Sequence, residues 1–140
     1  MKGIFEVASV EETWDVAKRL AADLKPGDII RLEGGLGTGK TTFVQGLAAA
    51  LGVSGRVTSP TFCIVQEHRS KKGLLFVHMD LYRLESEQDV VGIGWDDYTE
   101  RGAIMAVEWP DRAGTLIPPD AIRVSFSRME GAEARRIEIS

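Results

Sequence analysis

The segment "GGLGTGKT" constrains this 140-residue chain more than any other part of its sequence. It fits Gly-x-x-x-x-Gly-Lys-Ser/Thr, the pattern of a phosphate-binding loop. The glycines let the backbone curl until its N–H groups point at phosphate oxygens, and a following helix adds the positive end of its dipole. An apolar run, "DIIRLE", precedes the loop and a helix-like run, "TTFVQGLAAALG", follows it. This context predicts a strand, a phosphate cradle and a helix rather than a simple glycine turn.

Each part of the pattern predicts a role in holding a nucleotide. The Lys40 ammonium can reach the β- and γ-phosphates, and the Thr41 hydroxyl can ligate Mg²⁺. The chain contains no asparagine, so it lacks the Asn-Lys-x-Asp segment with which common GTPases read guanine. ATP is therefore the favoured nucleotide. The loop residues predicted to contact it are Gly35, Leu36, Gly37, Thr38, Gly39, Lys40 and Thr41.

The order of the remaining patterns predicts one α/β domain over residues 1–140. Ser9 and Glu12 have the spacing of a capping box at the start of a helix. The runs "TFCIVQEH" and "LLFVHMD" are separated by a hairpin-like gap, and "AIRVSFS" and "RRIEIS" form a second hairpin. The run "AIMAVEW" is typical of a strand that is buried on both faces. We predict a central, mostly parallel sheet that is flanked by helices and extended by antiparallel hairpins.

Two acidic residues each end an apolar run that is predicted to be a strand. Asp80 follows "LLFVHM" and Glu108 follows "AIMAV". Ligands of open α/β sheets bind at the carboxyl ends of the strands, which places both acids near the phosphate loop. We assign Glu108 to Mg²⁺ and Asp80 to the orientation of the attacking water, although the two roles could be exchanged. Trp109 follows Glu108 directly and is expected near the nucleotide.

The segment "HMDLYR" surrounds Asp80 with further polar groups. We expect His78 to be a hydrogen-bonding neighbour of Asp80 rather than a metal ligand. Arg83 could neutralise charge on the γ-phosphate or could clamp the loop that follows it. The segment "TSPTF", Thr58 to Phe62, could sense the γ-phosphate through a threonine or serine hydroxyl, but a turn before a strand is the favoured interpretation.

Composition and charge argue against several other classes of protein. A single cysteine, Cys63, excludes an internal disulfide framework and all multi-cysteine zinc patterns. The net charge of −4 is unlike that of a protein whose own surface captures nucleic acid. Four arginines near the C-terminus are diluted by glutamates and are expected to form a mixed, solvated surface. The sequence shows no signal peptide and no run of membrane-spanning length, so we expect a cytoplasmic protein without a membrane or DNA partner.

The motifs "GGLGTGKTTF", "SPTF", "HMDLYRLES" and "VEWP", in this order, resemble the TsaE family along essentially the whole chain. The family consists of small bacterial ATPases of tRNA threonylcarbamoyladenosine synthesis. The resemblance implies a P-loop fold, in which Lys40, Thr41 and Thr42 serve ATP and Mg²⁺ and Asp80, Glu108 and Trp109 belong to the hydrolytic site. It also implies action through TsaD and TsaB, so that tRNA is met only through that complex. Gly35 departs from the family, which usually has an acid at this position.

Two other functions share the phosphate loop. A small-molecule kinase can be nearly as short, but kinases normally add an arginine-bearing lid, and no long insertion with paired arginines follows the core. A non-catalytic nucleotide switch is disfavoured because both Asp80 and Glu108 are present. We therefore expect a Mg²⁺-dependent ATPase that is slow alone and is stimulated by its partners.

Overall fold

The computed structural model describes residues 1–35, 37–55, 57, 64–131 and 134–140, and these form seven strands and four α-helices. The strands are β1 (Gly3–Val7), β2 (Ile29–Glu33), β3 (Val65–Arg69), β4 (Leu75–Asp80), β5 (Ile104–Glu108), β6 (Ile122–Arg128) and β7 (Arg135–Ile139). The helices are α1 (Val10–Ala21), α2 (Lys40–Ala50), α3 (Glu87–Gly92) and α4 (Trp95–Glu100), and a 3₁₀ segment spans Pro110–Leu116.

All seven strands belong to one sheet in the order β1-β7-β6-β2-β5-β4-β3. Strand β2 is parallel to both of its neighbours, β5 and β6, and β5 is parallel to β4. The hairpins β3–β4 and β6–β7 and the outer pair β1–β7 are antiparallel. The predicted mixed α/β sheet with a parallel centre and antiparallel additions is thus confirmed. The phosphate loop lies between β2 and α2, at the carboxyl edge of this parallel centre.

The sheet buries a separate apolar cluster on each face. Alternate residues of a strand point to opposite faces, so Ile30 and Leu32 join helices α1 and α2 while Ile29 faces the other side. On that other side, Met105 and Val107 of β5 pack with residues of α3 and α4, including the buried Trp95. Every residue of β5 is buried, as predicted for a strand that is covered on both faces.

Helix α1 begins with the predicted cap. The Glu12 N–H donates to Ser9 Oγ at 3.1 Å, and Glu12 Oε2 accepts from the Ala8 N–H at 2.8 Å. These two bonds satisfy backbone donors that the first turn of a helix leaves without partners. The cap fixes where the chain turns from β1 into α1 and therefore where Ser9 lies relative to the phosphate loop.

Helices α1 and α2 approach each other closely at Gly46. A Cβ at this position would lie 2.9 Å from Ala17 Cβ and 3.0 Å from Trp14 Cδ1. Trp14 is 42% exposed and packs over this contact. The absence of a side chain at Gly46 lets α2 lie against α1, and α2 carries Lys40 and Thr41 at its first turn.

We expect Gly46→Ala to destabilise the fold by about 1–3 kcal/mol, because the added methyl group overpacks the α1–α2 contact. Gly92→Ala is the matched control, since Gly92 also lies in a helix but has nothing within 4 Å of a Cβ. That variant should be stabilised by up to about 1 kcal/mol through the helix propensity of alanine. Urea unfolding measures both effects. A gain in stability for Gly46→Ala would contradict the close helix packing.

Helix α1 ends at Ala21, where the chain turns toward β2, although the helical spacing of apolar residues in the sequence continues to Leu24. The segment "SEQDVVGIGWDDYTERG" has a helical pattern with an interruption, and the structure bears this out: Gly94, with φ 102°, separates α3 from α4. Thr61, Phe62 and Cys63, the first three residues of the predicted strand "TFCIVQEH", lie outside the described residues.

No helix in the described part of the chain is both long enough and apolar enough to cross a membrane.

Candidate functional site

The phosphate loop has the backbone that its glycines predict. Gly39 precedes α2 with φ 101° and Gly37 has φ 70°, both in the left-handed region that favours glycine. A Cβ at Gly34 would lie 2.9 Å from the Phe126 carbonyl oxygen, so a side chain there would clash with β6. The Thr38 hydroxyl donates to the Gly35 carbonyl at 2.7 Å and closes the loop on itself.

The start of α2 can accept an anion. Among the described residues, no side chain caps this helix and no acidic residue lies in its first turn. The backbone N–H groups of that turn are therefore available to phosphate oxygens, and the helix dipole favours negative charge there. Thr41 and Thr42 follow Lys40 in the same turn and line the cavity beside the loop. The loop thus fits the phosphates of a nucleotide.

Lys40 is buried at the centre of this arrangement, with 6% of its side chain exposed. Its Nζ donates to the Gly34 carbonyl at 2.8 Å and lies 3.9 Å from Glu108 Oε1. The same ammonium group lies 4.7 Å from the ring centroid of Trp109. A buried ammonium group is costly without such partners, so these contacts hold it between the loop and the end of β5.

Glu108 is buried at the end of β5 and lies between two basic groups. Its Oε2 is 2.6 Å from Nε2 of the fully buried His78, and its Oε1 faces Lys40. The expected hydrogen-bonding partner of His78 was Asp80, whereas the structure pairs His78 with Glu108. The register explains the difference. Residues 76, 78 and 80 of β4 face the same side as residues 104, 106 and 108 of β5, so His78 reaches diagonally to the neighbouring strand.

Asp80 lies directly opposite Glu108 in the pairing of β4 with β5. Burial raises the pKa of Asp80 above its usual value. The Tyr82 N–H donates to Asp80 Oδ1 at 3.0 Å and opposes this rise in pKa, whereas the nearby Glu108 carboxylate adds to it. A carboxylate with a raised pKa accepts a proton from water more readily than an ordinary aspartate. Two carboxylates at adjacent strand ends are also the donor chemistry that Mg²⁺ prefers, and the hydroxyl of Thr41 lies in the same cavity.

Trp109 lies between the phosphate loop and the exposed ring of Tyr82. Its backbone has φ 56°, the only positive φ among the described non-glycine residues. The ring centroid lies 4.9 Å from that of Tyr82, with the two ring planes inclined at 52°, and the Lys40 ammonium lies 4.7 Å from the same Trp109 centroid. Tyr82 is 57% exposed, so this column of side chains leads from the phosphate loop to the surface.

These groups line a cavity of about 420 Å³ beside the loop. The predicted site residues that it brings together are Gly37, Thr38, Gly39, Lys40, Thr41, Thr42, Asp80, Glu108 and Trp109. Leu36 lies outside the described residues, as do Ser59, Pro60 and Thr61. Gly35 and Arg83 are exposed and are not among the residues that line this cavity. A Cβ at Gly35 would meet no described residue within 4 Å, so the loop has room for a side chain at this position.

Sequence reasoning missed two arginines of the C-terminal hairpin. Arg128 Nη2 lies 3.2 Å from the Gly37 carbonyl oxygen and Arg135 Nη2 lies 3.4 Å from the same atom. The two residues are direct partners in the β6–β7 register, and Arg135 also lines the cavity. The signal was the hairpin itself: pairing the strands across "MEGA" would have placed residues 128 and 135 side by side.

The other two C-terminal arginines form the expected mixed surface. Arg123 pairs with Glu33 at 3.1 Å, and Arg136 pairs with Glu6 at 3.6 Å. Both arginines are about half exposed. The prediction of a mixed, solvated surface therefore holds for these two side chains. Arg128 is exposed as well, but its guanidinium group and that of Arg135 also contact the phosphate loop, which the prediction did not include.

Comparisons with known proteins agree on one family. The sequence model described as "Threonylcarbamoyl adenosine biosynthesis protein TsaE" matches residues 7–137. The tRNA threonylcarbamoyladenosine biosynthesis protein TsaE of Bacillus subtilis is 41% identical over 128 residues, which cover 91% of this chain and 78% of that protein. The protein of the same name from Aquifex aeolicus is 43% identical over 106 residues, which cover 74% of each chain.

The fold is similar to that of a solved structure. The crystal structure of Bacillus subtilis YdiB superimposes with a TM-score of 0.79 at 33% sequence identity. The superposition covers 99% of this chain and 84% of that chain. The two chains therefore share the architecture in which β2, the phosphate loop and α2 form the centre.

Proposed function

Because the chain belongs to the TsaE family and so has that family's role in tRNA threonylcarbamoyladenosine biosynthesis, we propose that it binds and hydrolyses ATP with Mg²⁺. The observation that carries this proposal is the convergence of Lys40, Asp80 and Glu108 at one end of the phosphate loop. A protein that only bound phosphate would need the loop and the lysine. The two carboxylates supply what hydrolysis adds, a metal ligand and a group that orients water.

Each residue has a separate part in the proposed reaction. Lys40 and the N–H groups of the α2 N-terminus bind the phosphates, and Thr41 and Glu108 hold Mg²⁺. Mg²⁺, when bound, neutralises charge on the phosphate oxygens. Asp80 orients the attacking water, in keeping with the raised pKa of its carboxyl group. His78 fixes the orientation of Glu108 through the 2.6 Å contact with its Oε2. Trp109 limits the movement of the Lys40 side chain.

The proposed partners are TsaD and TsaB, which transfer the threonylcarbamoyl group to tRNA. This chain does not carry out that transfer, and its ATP turnover allows the modifying complex to continue its cycle. The net charge of −4 is consistent with tRNA being held by the complex rather than by this chain. The proposal describes residues 1–140 as one ATPase domain that acts in the cytoplasm.

Release of inorganic phosphate from ATP by the purified chain, alone and with TsaB and TsaD, tests this proposal. We expect slow release by the chain alone and strong stimulation by the two partners, because a site that is completed by a partner turns over slowly without it. GTP serves as the comparison nucleotide and should be hydrolysed less well.

A small-molecule kinase is the alternative function. Its signature would be little release of inorganic phosphate under any condition, with ADP and a phosphorylated acceptor formed once an acceptor is added. Lack of stimulation by TsaB and TsaD, together with ATP consumption that depends on such an acceptor, would favour the kinase over the accessory ATPase.

A further inference from the structure

The two arginines that converge on Gly37 are an unusual arrangement. Arg128 and Arg135 face each other directly across the β6–β7 pair, and both guanidinium groups point to one carbonyl oxygen. Like charges placed directly opposite each other on neighbouring strands repel, and an anion beside them would reduce that repulsion. The hairpin thus presents positive charge to the loop from the side that Lys40 does not occupy.

The order of the strands defines two ends of the cavity. Strand β2 leads into the loop, and β5 and β4 lie on one side of it with Glu108 and Asp80 at their ends. Strands β6 and β7 lie on the other side, followed by β1, which leads into α1. The cavity therefore extends from the acids and Lys40 at one end to Arg135 and the first residues of α1 at the other.

We propose that Arg135 binds the nucleotide at the ribose end of its phosphate chain, through the α-phosphate. This inference rests on the proposed function, because that function places the γ-phosphate beside Lys40, Asp80 and Glu108. A nucleotide in this orientation directs its α-phosphate toward β7. The guanidinium group of arginine matches phosphate oxygens with two parallel N–H donors, and it keeps its charge at every physiological pH.

Arg135 rather than Arg128 is the residue that contacts the nucleotide. Both side chains donate to the Gly37 carbonyl, but only Arg135 is among the residues that line the cavity. Arg128 lies against Gly37 so closely that a Cβ at Gly37 would be 2.6 Å from its Nη2. Arg128 therefore supports the loop from outside, whereas Arg135 reaches both the loop and the space beside it.

The test is the affinity of the whole chain for ATP and for ADP, each with Mg²⁺, by titration calorimetry. Arg135→Gln should weaken both nucleotides by the same factor, about ten- to a hundredfold, because the α-phosphate is common to both. Arg135→Lys keeps the positive charge and should lose less nucleotide affinity than Arg135→Gln. Arg136→Gln is the matched control, since this neighbouring arginine points away and pairs with Glu6, and its affinities should stay within about twofold of the unaltered chain.

Arg128→Gln separates direct contact from support of the loop and should weaken binding less than Arg135→Gln. Equal losses in the Arg128 and Arg135 variants would overturn the inference, since Arg135 would then act only through the loop. A loss confined to ATP would overturn the assignment to the α-phosphate. Unchanged affinities in Arg135→Gln would overturn the inference and leave the proposed function standing. Failure of the unaltered chain to bind either nucleotide would overturn both.

Discussion

Replacing Lys40 with alanine is expected to lower the affinity for ATP by at least about a hundredfold. In the proposed site the lysine makes charge-assisted contacts to the β- and γ-phosphates, and each such contact contributes about 1.5–3 kcal/mol. The variant also removes the ammonium group that lies 3.9 Å from Glu108. The buried Glu108 carboxylate then lacks this positive charge beside it and repels the incoming phosphates more strongly. Both effects act in the same direction, which makes this the largest predicted change in binding.

Titration calorimetry of ATP into the variant measures this loss directly. Lys18→Ala is the control, because Lys18 is exposed on α1 and distant in sequence from the loop. Circular dichroism should show that Lys40→Ala keeps its secondary structure, since the loop lies at the edge of the sheet. Unchanged ATP affinity in Lys40→Ala would mean that the phosphates bind elsewhere.

Replacing Glu108 with glutamine is expected to reduce the rate of ATP turnover by at least about a hundredfold while ATP affinity changes by no more than about tenfold. Glutamine keeps an oxygen that can accept the hydrogen bond from His78, so the contact between the ends of β4 and β5 is retained. The substitution removes only the negative charge that is proposed to hold Mg²⁺. Loss of a metal ligand affects the transition state more than the ground state, because charge on the transferred group is redistributed there.

Phosphate release at saturating ATP measures the turnover rate, and calorimetric titration of ATP in the same buffer measures the affinity. Glu33→Gln is the matched control, since Glu33 also ends a strand of the sheet but pairs with Arg123 at its surface. Turnover in that variant should stay within about twofold. A Glu108→Gln variant with full turnover would remove Glu108 from the hydrolytic site.

Local patterns predicted the parts of the fold that depend on neighbouring residues. The cap at Ser9, the phosphate loop and the buried strand before Glu108 each follow from residue types within a few positions of one another. Asp80 and Glu108 could also be placed together, because carboxyl ends of parallel strands meet at one edge of a sheet. Fold class and the centre of the candidate site were therefore accessible from the sequence.

The features that the sequence did not predict depend on the register between segments that are distant in the chain. The contact of His78 with Glu108 needs the diagonal pairing of β4 and β5, which no local pattern specifies. The approach of Arg135 to Gly37 requires β6 to lie beside β2, although the two strands are separated by most of the chain. The left-handed backbone of Trp109, whose ring lies near Lys40 and Tyr82, likewise does not follow from residue preference, because bulky residues rarely adopt a positive φ.

The most direct measurement of the proposed role is the number of tRNA molecules modified per TsaD molecule in a reaction that contains TsaB, TsaD, ATP, the threonylcarbamoyl donor and unmodified tRNA. With the unaltered chain we expect many modified tRNA molecules per TsaD, accompanied by release of phosphate from ATP. With Glu108→Gln, modification should stop at an early stage. Equal yields with the unaltered chain, with Glu108→Gln and without any added chain would contradict an ATP-driven role in this modification.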